Sequence, residues 1–234
     1  MVKRADSGYL ARLATRFGSD KWGSHWYAQH YQRHFAPFRW KRLTLLEIGI
    51  GGDSDPRAGG GSLRMWKRFF WRGQIVGIDI HDKSPHAQRR IRTYKGDQGD
   101  AGFLNSVIAE VGRPDIIIDD GSHLNHHVIF SFEVLFPLLN QGGIYAIEDT
   151  QSSYWPKYGG GRKEMLDPSR PSLMEFFKEF ADGLNHSEYL DPHYRPTYYD
   201  RHVVAMHFYH NLVFVYKGLN DEGSNCVQNG VLRC

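Results

Sequence analysis

Cysteine is nearly missing from this sequence: the 234 residues contain two, Cys226 and Cys234, both at the extreme C-terminus. Neither a disulfide framework nor a paired-cysteine metal site can therefore organise the fold, and a reducing cytoplasm suits the composition. No apolar run approaches the roughly 20 residues needed to cross a bilayer, so no membrane span is expected. The N-terminus also lacks the apolar centre of a secretory signal. Lys3, Arg4, Arg12 and Arg16 alternate with Tyr9, Leu10, Leu13 and Phe17, which imitates an organellar transit segment. The same spacing describes an amphipathic helix docked on the domain, and that is the expectation here. A surplus of one charge is missing too. Twenty-nine Lys and Arg against 26 Asp and Glu leave a net charge of +3, and the two signs are interspersed, so no nucleic-acid partner is expected.

What is present suffices for a folded core: 41% of residues are hydrophobic and 14% aromatic, over a length that suits one α/β domain. The strongest strand signal is Leu43–Ile48, apolar and β-branched, ending at Gly49, Gly51 and Gly52. A loop from Asp53 to Gly61 follows, and Ser62 is placed to cap a helix running from Leu63 to about Phe70, closed by Gly73. Further strands are expected at Gln74–Ile80, Arg92–Gly96, Asp115–Asp119 and Gly143–Asp149, with helices at Gly102–Val111 and Val128–Leu139. Strict alternation with short connections implies right-handed crossovers and a mostly parallel sheet, hence a Rossmann-like α/β fold. Tyr154–Pro171 reads as a long loop, Ser172–Leu184 as a helix, and Val203–Tyr209 with Leu212–Lys217 as an antiparallel hairpin. Residues after Gly218 read as a loose tail. One domain is expected throughout, with 1–40 as a helical lid, 41–150 as the ligand-binding core, 151–218 as a second lid and hairpin, and 219–234 as tail.

In open parallel sheets ligands bind beyond the carboxyl ends of the strands. The first end, Glu47-Ile48-Gly49-Ile50-Gly51-Gly52, places an acid two residues before a Gly-x-Gly. A dinucleotide site wants a third glycine at position 54 for close packing beneath a pyrophosphate, and Ser54 stands there. S-adenosylmethionine carries no pyrophosphate, so the turn suits that methyl donor better than NAD. Asp79, at the second strand end, can accept from both ribose hydroxyls, and Ser62 is counted on the cofactor side. Asp97 and Gln98 at the third end either face the adenine edge or form an exposed turn. The run Asp119-Asp120-Gly121-Ser122-His123 gathers two carboxylates and an imidazole past one strand end, and the next strand closes on Glu148-Asp149. Clustered carboxylates repel unless a cation neutralises them, and all-oxygen ligation suits Mg²⁺ or Mn²⁺. Asp120, Glu148 and Asp149 are the expected ligands, with Asp119 either a strand-end cap or a cofactor contact. His123, a residue type that titrates near neutrality, is placed to take an acceptor proton. His126 is the competitor that could face the acceptor, while His127 is expected to pack at the helix start. Tyr154, Trp155 and Tyr158 offer flat faces for an acceptor ring.

Together these motifs resemble the metal-dependent sugar O-methyltransferases of actinomycete natural-product pathways, the group that includes the mycinamicin and tylosin deoxysugar enzymes. The resemblance runs from about Phe17 to Tyr154 and includes Gly18-Ser19-Asp20-Lys21-Trp22-Gly23, His25, Tyr27, Gly60–Trp66, Ile78-Asp79 and Gly96-Asp97-Gln98. It implies a class I methyltransferase fold, magnesium on Asp120, Glu148 and Asp149, and His123 as base. It also implies that Asp20–Tyr31 folds over the cofactor, against the plainer reading of an aromatic packing helix. The implied acceptor is a sugar or glycoside hydroxyl, on an antibiotic deoxysugar or an actinomycete mannose or glucose saccharide. The alternative is a catechol-type enzyme acting on a small phenol, which uses the same carboxylates. The chain is shorter than the macrolide enzymes and is expected to lack their separate N-terminal domain, which leaves the acceptor and assembly open. A homodimer is one assembly the sequence allows.

Overall fold

The computed structural model describes residues 8–161 and 171–233, which fall into two compact units, 1–121 and 122–234. In the first unit, helix α1 (Gly8–Phe17) buries Leu10, Leu13 and Ala14 along one stripe and turns Arg12 and Arg16 away from it, as the amphipathic spacing predicts. Helix α2 (Ala28–Phe35) and helix α3 (Gly61–Phe69) pack beside it, and the ring of Trp66 meets Tyr31 at 5.1 Å and Phe35 at 5.7 Å. Strands β1 (Thr44–Ile48), β2 (Gln74–Asp79), β3 (Ile91–Lys95) and β4 (Ile116–Asp119) are parallel, in the order β3-β2-β1-β4. Strand β1 has β2 on one side and β4 on the other, so the direction of winding reverses there. That reversal opens a crevice beyond the carboxyl ends of β1 and β4. Strand β4 is wholly buried and strand β3 half exposed, which matches the unbroken isoleucines of the one and the polar alternation of the other. Helix α4 (Ala101–Val111) is capped by Asp100, which accepts from the Phe103 amide at 3.1 Å.

The second unit contains β5 (Ile144–Glu148), paired antiparallel with β7 (Leu212–Lys217), which in turn pairs antiparallel with β6 (Val203–Tyr209). The C-terminal hairpin thus forms as its sequence implies, turning at His210-Asn211 with Asn211 in the left-handed region (φ 60°). Helix α5 (Asn125–Leu135), helix α6 (Leu173–Gly183) and helix α7 (Tyr198–His202) bring Phe132, Phe136, Phe177, Phe180 and Tyr199 into one aromatic core. A reciprocal Ser172–Glu175 capping box begins α6 where the sequence places its start. No helix among the described residues is long and apolar enough to cross a membrane.

Four expectations need correction. Ser62 does not cap α3: the capping residue is Gly60 in the left-handed region, and the Ser62 hydroxyl turns inward instead. Helix α5 begins at Asn125 rather than Val128, which draws His126 and His127 into its first turn. It ends at Leu135 and continues as a 3-10 turn over Phe136–Leu138, because Pro137 has no amide hydrogen to give. The tail is not loose, since β8 (Val227–Gln228) pairs with β9 (Val231–Leu232) and Cys226 is disulfide-bonded, a state that a reducing cytoplasm does not favour.

Lys217 closes β7 from inside: only 2% exposed, its ammonium donates to the carbonyls of Phe136, Pro137 and Leu139, each at 2.9 Å. These carbonyls belong to the end of α5 and its 3-10 extension, where the helix leaves acceptors unsatisfied. Lys217→Met keeps the buried stem and removes the donor, so the chain should lose roughly 3 kcal/mol in urea unfolding. A loss below about 0.5 kcal/mol, the scale of an ordinary surface substitution, would show that water satisfies those carbonyls instead.

Candidate active site

The carboxyl ends of β1, β2 and β4 carry the polar residues of the first unit. Strand β1 turns at Gly49, whose φ of 88° and proximity to β4 admit no side chain: a Cβ there would stand 2.0 Å from the Asp120 carbonyl oxygen. The turn is tied to β2 through Asp79, which accepts from the Ile50 amide and the His81 amide, both at 2.9 Å. Each carboxylate oxygen keeps a second lone pair, so the side chain can still meet a hydroxyl pair. The loop from Asp53 to Gly60 is held by Lys83, which is 2% exposed and donates to the carbonyls of Asp55 at 2.7 Å and Ala58 at 3.3 Å. Gln98 is buried and donates to both oxygens of Asp119, at 3.3 and 3.4 Å. Asp97 is exposed and accepts from the Gly99 amide, the geometry of a surface turn. Of that pair, only Gln98 reaches the strand ends.

Beneath the turn lies a buried charge cluster. Glu47 is fully enclosed; Ser62 donates to it at 2.8 Å, Trp66 at 3.2 Å, and the Lys21 ammonium stands 3.5 Å away. The same ammonium reaches Asp120 at 2.7 Å. Burial pushes Glu47 up to about 7, against the opposing pull of Lys21. Glu47 and Ser62, both expected on the cofactor, thus satisfy each other under the turn that a cofactor would cover. Lys21 belongs to the Asp20–Tyr31 segment, so that segment enters the strand-end crevice through a side chain rather than only packing aromatics. Its role was missed from sequence; the available signal was a lone cation between Asp20 and Trp22 in an otherwise aromatic run.

In the second unit, His123 Nε2 lies 3.6 Å from an Asp149 carboxylate oxygen. Both residues occupy the left-handed region, His123 at φ 58° and Asp149 at φ 52°, conformations that side chains other than glycine adopt at a cost. Glu148 is buried at the end of β5. His127 pairs with the Ser122 hydroxyl at 3.2 Å, so it packs at the helix start as expected, while His126 is exposed beside it, rings 4.4 Å apart. Asn125 is a second residue that sequence reasoning missed. Buried, it donates to the carbonyls of Ser152 at 3.1 Å and Tyr158 at 2.9 Å and accepts from the Leu173 amide. It thereby pins the segment carrying Tyr154 and Trp155, which are 60% and 48% exposed, to the start of α6. The part of the expected Tyr154–Pro171 loop over 162–170 lies outside the described residues.

Folded Glu47 holds its proton up to about pH 7, whereas the unfolded chain releases it near 4.5. Between those values the folded state binds more protons, so the contribution of Glu47 to stability falls as pH rises from about 4.5 to 7. Glu47→Gln in metal-free protein should flatten that stretch of the stability profile, and an unaltered slope would place the titration elsewhere. At pH 8, where folded Glu47 is ionised, Lys21→Met removes the counter-charge that Glu47 and Asp120 share and should cost about 3 kcal/mol in unfolding. Lys21→Arg should recover part of that loss, and equal stability of all three forms would mean that the cluster carries no net coupling.

No family model matches the chain. It is 50% identical over 212 residues to an 8-demethyl-8-alpha-L-rhamnosyl tetracenomycin-C 2'-O-methyltransferase of Streptomyces olivaceus, covering 90% of this chain and 55% of that protein. It is likewise 50% identical over 218 residues to a demethylmacrocin O-methyltransferase of Streptomyces fradiae, covering 92% and 54%. Among solved structures, the mycinamycin-pathway methyltransferase MycE in complex with Mg, SAH and mycinamycin VI superposes with a TM-score of 0.85 at 47% identity, covering 92% of this chain and 55% of that one. The chain spans little more than half the length of the curated relatives it matches. Over nine tenths of its own length, however, it is related to the sugar O-methyltransferases of actinomycetes whose motifs it carries, and it has the Rossmann-like α/β fold of the class I methyltransferases.

Proposed function

We propose that this chain transfers a methyl group from S-adenosylmethionine to a hydroxyl of a sugar or glycoside, with a divalent cation as cofactor. The observation that carries the reading is the half-identity to sugar O-methyltransferases along the whole matched length, joined to carboxylates standing at three successive strand ends. The donor supplies an electrophilic methyl on a sulfonium. Gly49 and Gly51 leave the backbone bare enough for its methionine part, Asp79 accepts from its ribose, and Gln98 with Asp119 borders its adenine side.

The donor set fits a hard cation. Asp120, Glu148 and Asp149 offer carboxylate oxygens alone, the ligand chemistry of a hard cation, and Asp120 keeps one-fifth of its side chain exposed although Lys21 already pairs with it at 2.7 Å. Asp120, Glu148 and Asp149 would hold Mg²⁺ or Mn²⁺, which makes an acceptor hydroxyl easier to deprotonate. His123 takes the proton at Nε2, and Asp149, 3.6 Å away, steadies the imidazolium that results. The strained backbone at both residues supports a positioned pair rather than a chance contact. Tyr154 and Trp155 offer exposed ring faces for a pyranose, and His126, exposed in the first turn of α5, offers a polar contact. The reading includes a cytoplasmic location, in which Cys226 would be reduced.

A screen with labelled donor against saccharides, phenols and RNA, with and without Mg²⁺, tests this directly. Turnover is expected with a saccharide or glycoside, silenced by EDTA and restored by Mg²⁺. Turnover confined to catechols would replace the acceptor class, and full activity in EDTA would remove the metal. His123→Ala should lose a factor of roughly 10² to 10⁴ in kcat while retaining adenosylhomocysteine affinity. An unchanged kcat would transfer the role of base to His126 or to water.

A further inference from the structure

The far end of the same parallel strands carries a second feature. Where β1 and β2 begin, the first unit has a cleft of about 820 Å³ lined by Arg42, Arg72, Arg89, Arg90, Trp71 and Asp115 among others. Four guanidiniums thus face one carboxylate. That carboxylate is occupied, since Asp115 accepts from the Thr44 amide at 2.9 Å. Arg90 is occupied as well, donating to the carbonyls of Lys67, Phe70 and Gly73 at 2.9 to 3.1 Å, which shapes the cleft wall. Arg42, Arg72 and Arg89 are exposed, and among the described residues none has a carboxylate partner; the contact of Arg72 is with the Trp71 ring, 5.9 Å away. Trp71 is 52% exposed and is held by Trp40, ring centroids 6.0 Å apart and nearly perpendicular.

An accumulation of unpaired like charge around one concavity is unfavourable unless something negative relieves it. The crowding is visible nearby: after desolvation, Arg90 and Arg89 are what lower Lys67 below the ordinary lysine range. Guanidinium forks match the oxygens of a phosphate or a carboxylate two at a time, and a diphosphate carries enough charge and oxygens to engage three of them. The volume lies in the range of small-molecule sites, in a depression that is widely open to solvent. An exposed indole at the rim supplies a face for a planar ring.

From these observations we propose that the cleft is a second ligand site, for a nucleotide: the diphosphate on Arg42, Arg72 and Arg89, and the base against Trp71. Strand β1 separates it from the donor end by about 13 Å or more, the length of a five-residue strand. It is therefore not a subsite of the methyl-transfer centre, and it stands whether or not the proposed activity is correct.

Calorimetry with ADP, inorganic pyrophosphate and adenosine tests it, each titrated into the whole chain with and without saturating adenosylhomocysteine. ADP should bind in both conditions, pyrophosphate more weakly, and adenosine not measurably once the donor analogue is present. The exposed pair Arg42→Ser with Arg89→Ser should weaken ADP by roughly tenfold or more, the scale of charged hydrogen bonds, with the melting temperature and adenosylhomocysteine affinity unchanged. Trp71→Ala should bring ADP down to pyrophosphate. Absence of binding by both phosphate compounds overturns the proposal, as does full affinity in the double arginine variant. Loss of ADP binding on adding adenosylhomocysteine would assign it to the donor site. Binding by RNA that strengthens with length and that ADP does not displace would make the cleft part of a polyanion track, which also overturns it.

Discussion

A single buried ammonium organises the donor end of this protein. Lys21 has no exposed side-chain surface, and it stands between Glu47 beneath the glycine turn and Asp120 at the end of β4. Burying a lysine costs several kcal/mol unless carboxylates answer it, and burying Glu47 costs as much unless a cation answers that. Each charge therefore makes the others tolerable, and the three fix positions from three parts of the chain. The N-terminal segment is drawn in, the first strand end is closed from below, and Asp120 is held where Gly49 must pass its backbone without a side chain. The Ser62 hydroxyl and the Trp66 indole complete the ring of donors around Glu47.

Charge is distributed unequally along the parallel strands. Their carboxyl ends hold Glu47, Asp79, Asp119 and Asp120, while the region where β1 and β2 begin holds arginines almost without counter-ions. The acidic end suits a sulfonium donor and a divalent cation; the basic end suits an anion. In the second unit the candidate residues are set by strain and by one amide. His123 and Asp149 occupy unfavourable backbone conformations within 3.6 Å of each other, and Asn125 fixes the loop that presents Tyr154 and Trp155. A loop pinned at its base and exposed at its tip can present a rigid acceptor surface without being part of the core.

Much of this was legible from residues alone. Unbroken apolar runs gave away β1, β2, β4 and β5, and residues at the carboxyl ends of such strands are the candidates for a site, so Asp79, Asp119, Asp120, Glu148 and Asp149 could be named as candidates from the sequence. Local signals also found the capping box of α6 and the C-terminal hairpin. What stayed hidden depends on partners distant in sequence. Lys21 meets Asp120 across 99 residues, and the lone cation in an aromatic run that marks Lys21 does not name its partner. Ser62 looked like a helix cap because local preference says so, but a buried carboxylate from β1 outcompeted the helix end for its hydroxyl. Asn125 and Lys83 serve carbonyls tens of residues away. The tail hairpin was missed because strands of two residues carry no periodicity.

The most direct measurement is an anomalous difference map from crystals of the chain grown with Mn²⁺ and adenosylhomocysteine. The account predicts one strong manganese peak in coordinating contact with Asp120, Glu148 and Asp149, and adenosylhomocysteine lying over the Gly49–Gly51 turn with its ribose on Asp79. Manganese absent from those carboxylates, or adenosylhomocysteine bound away from the glycine turn, would contradict it.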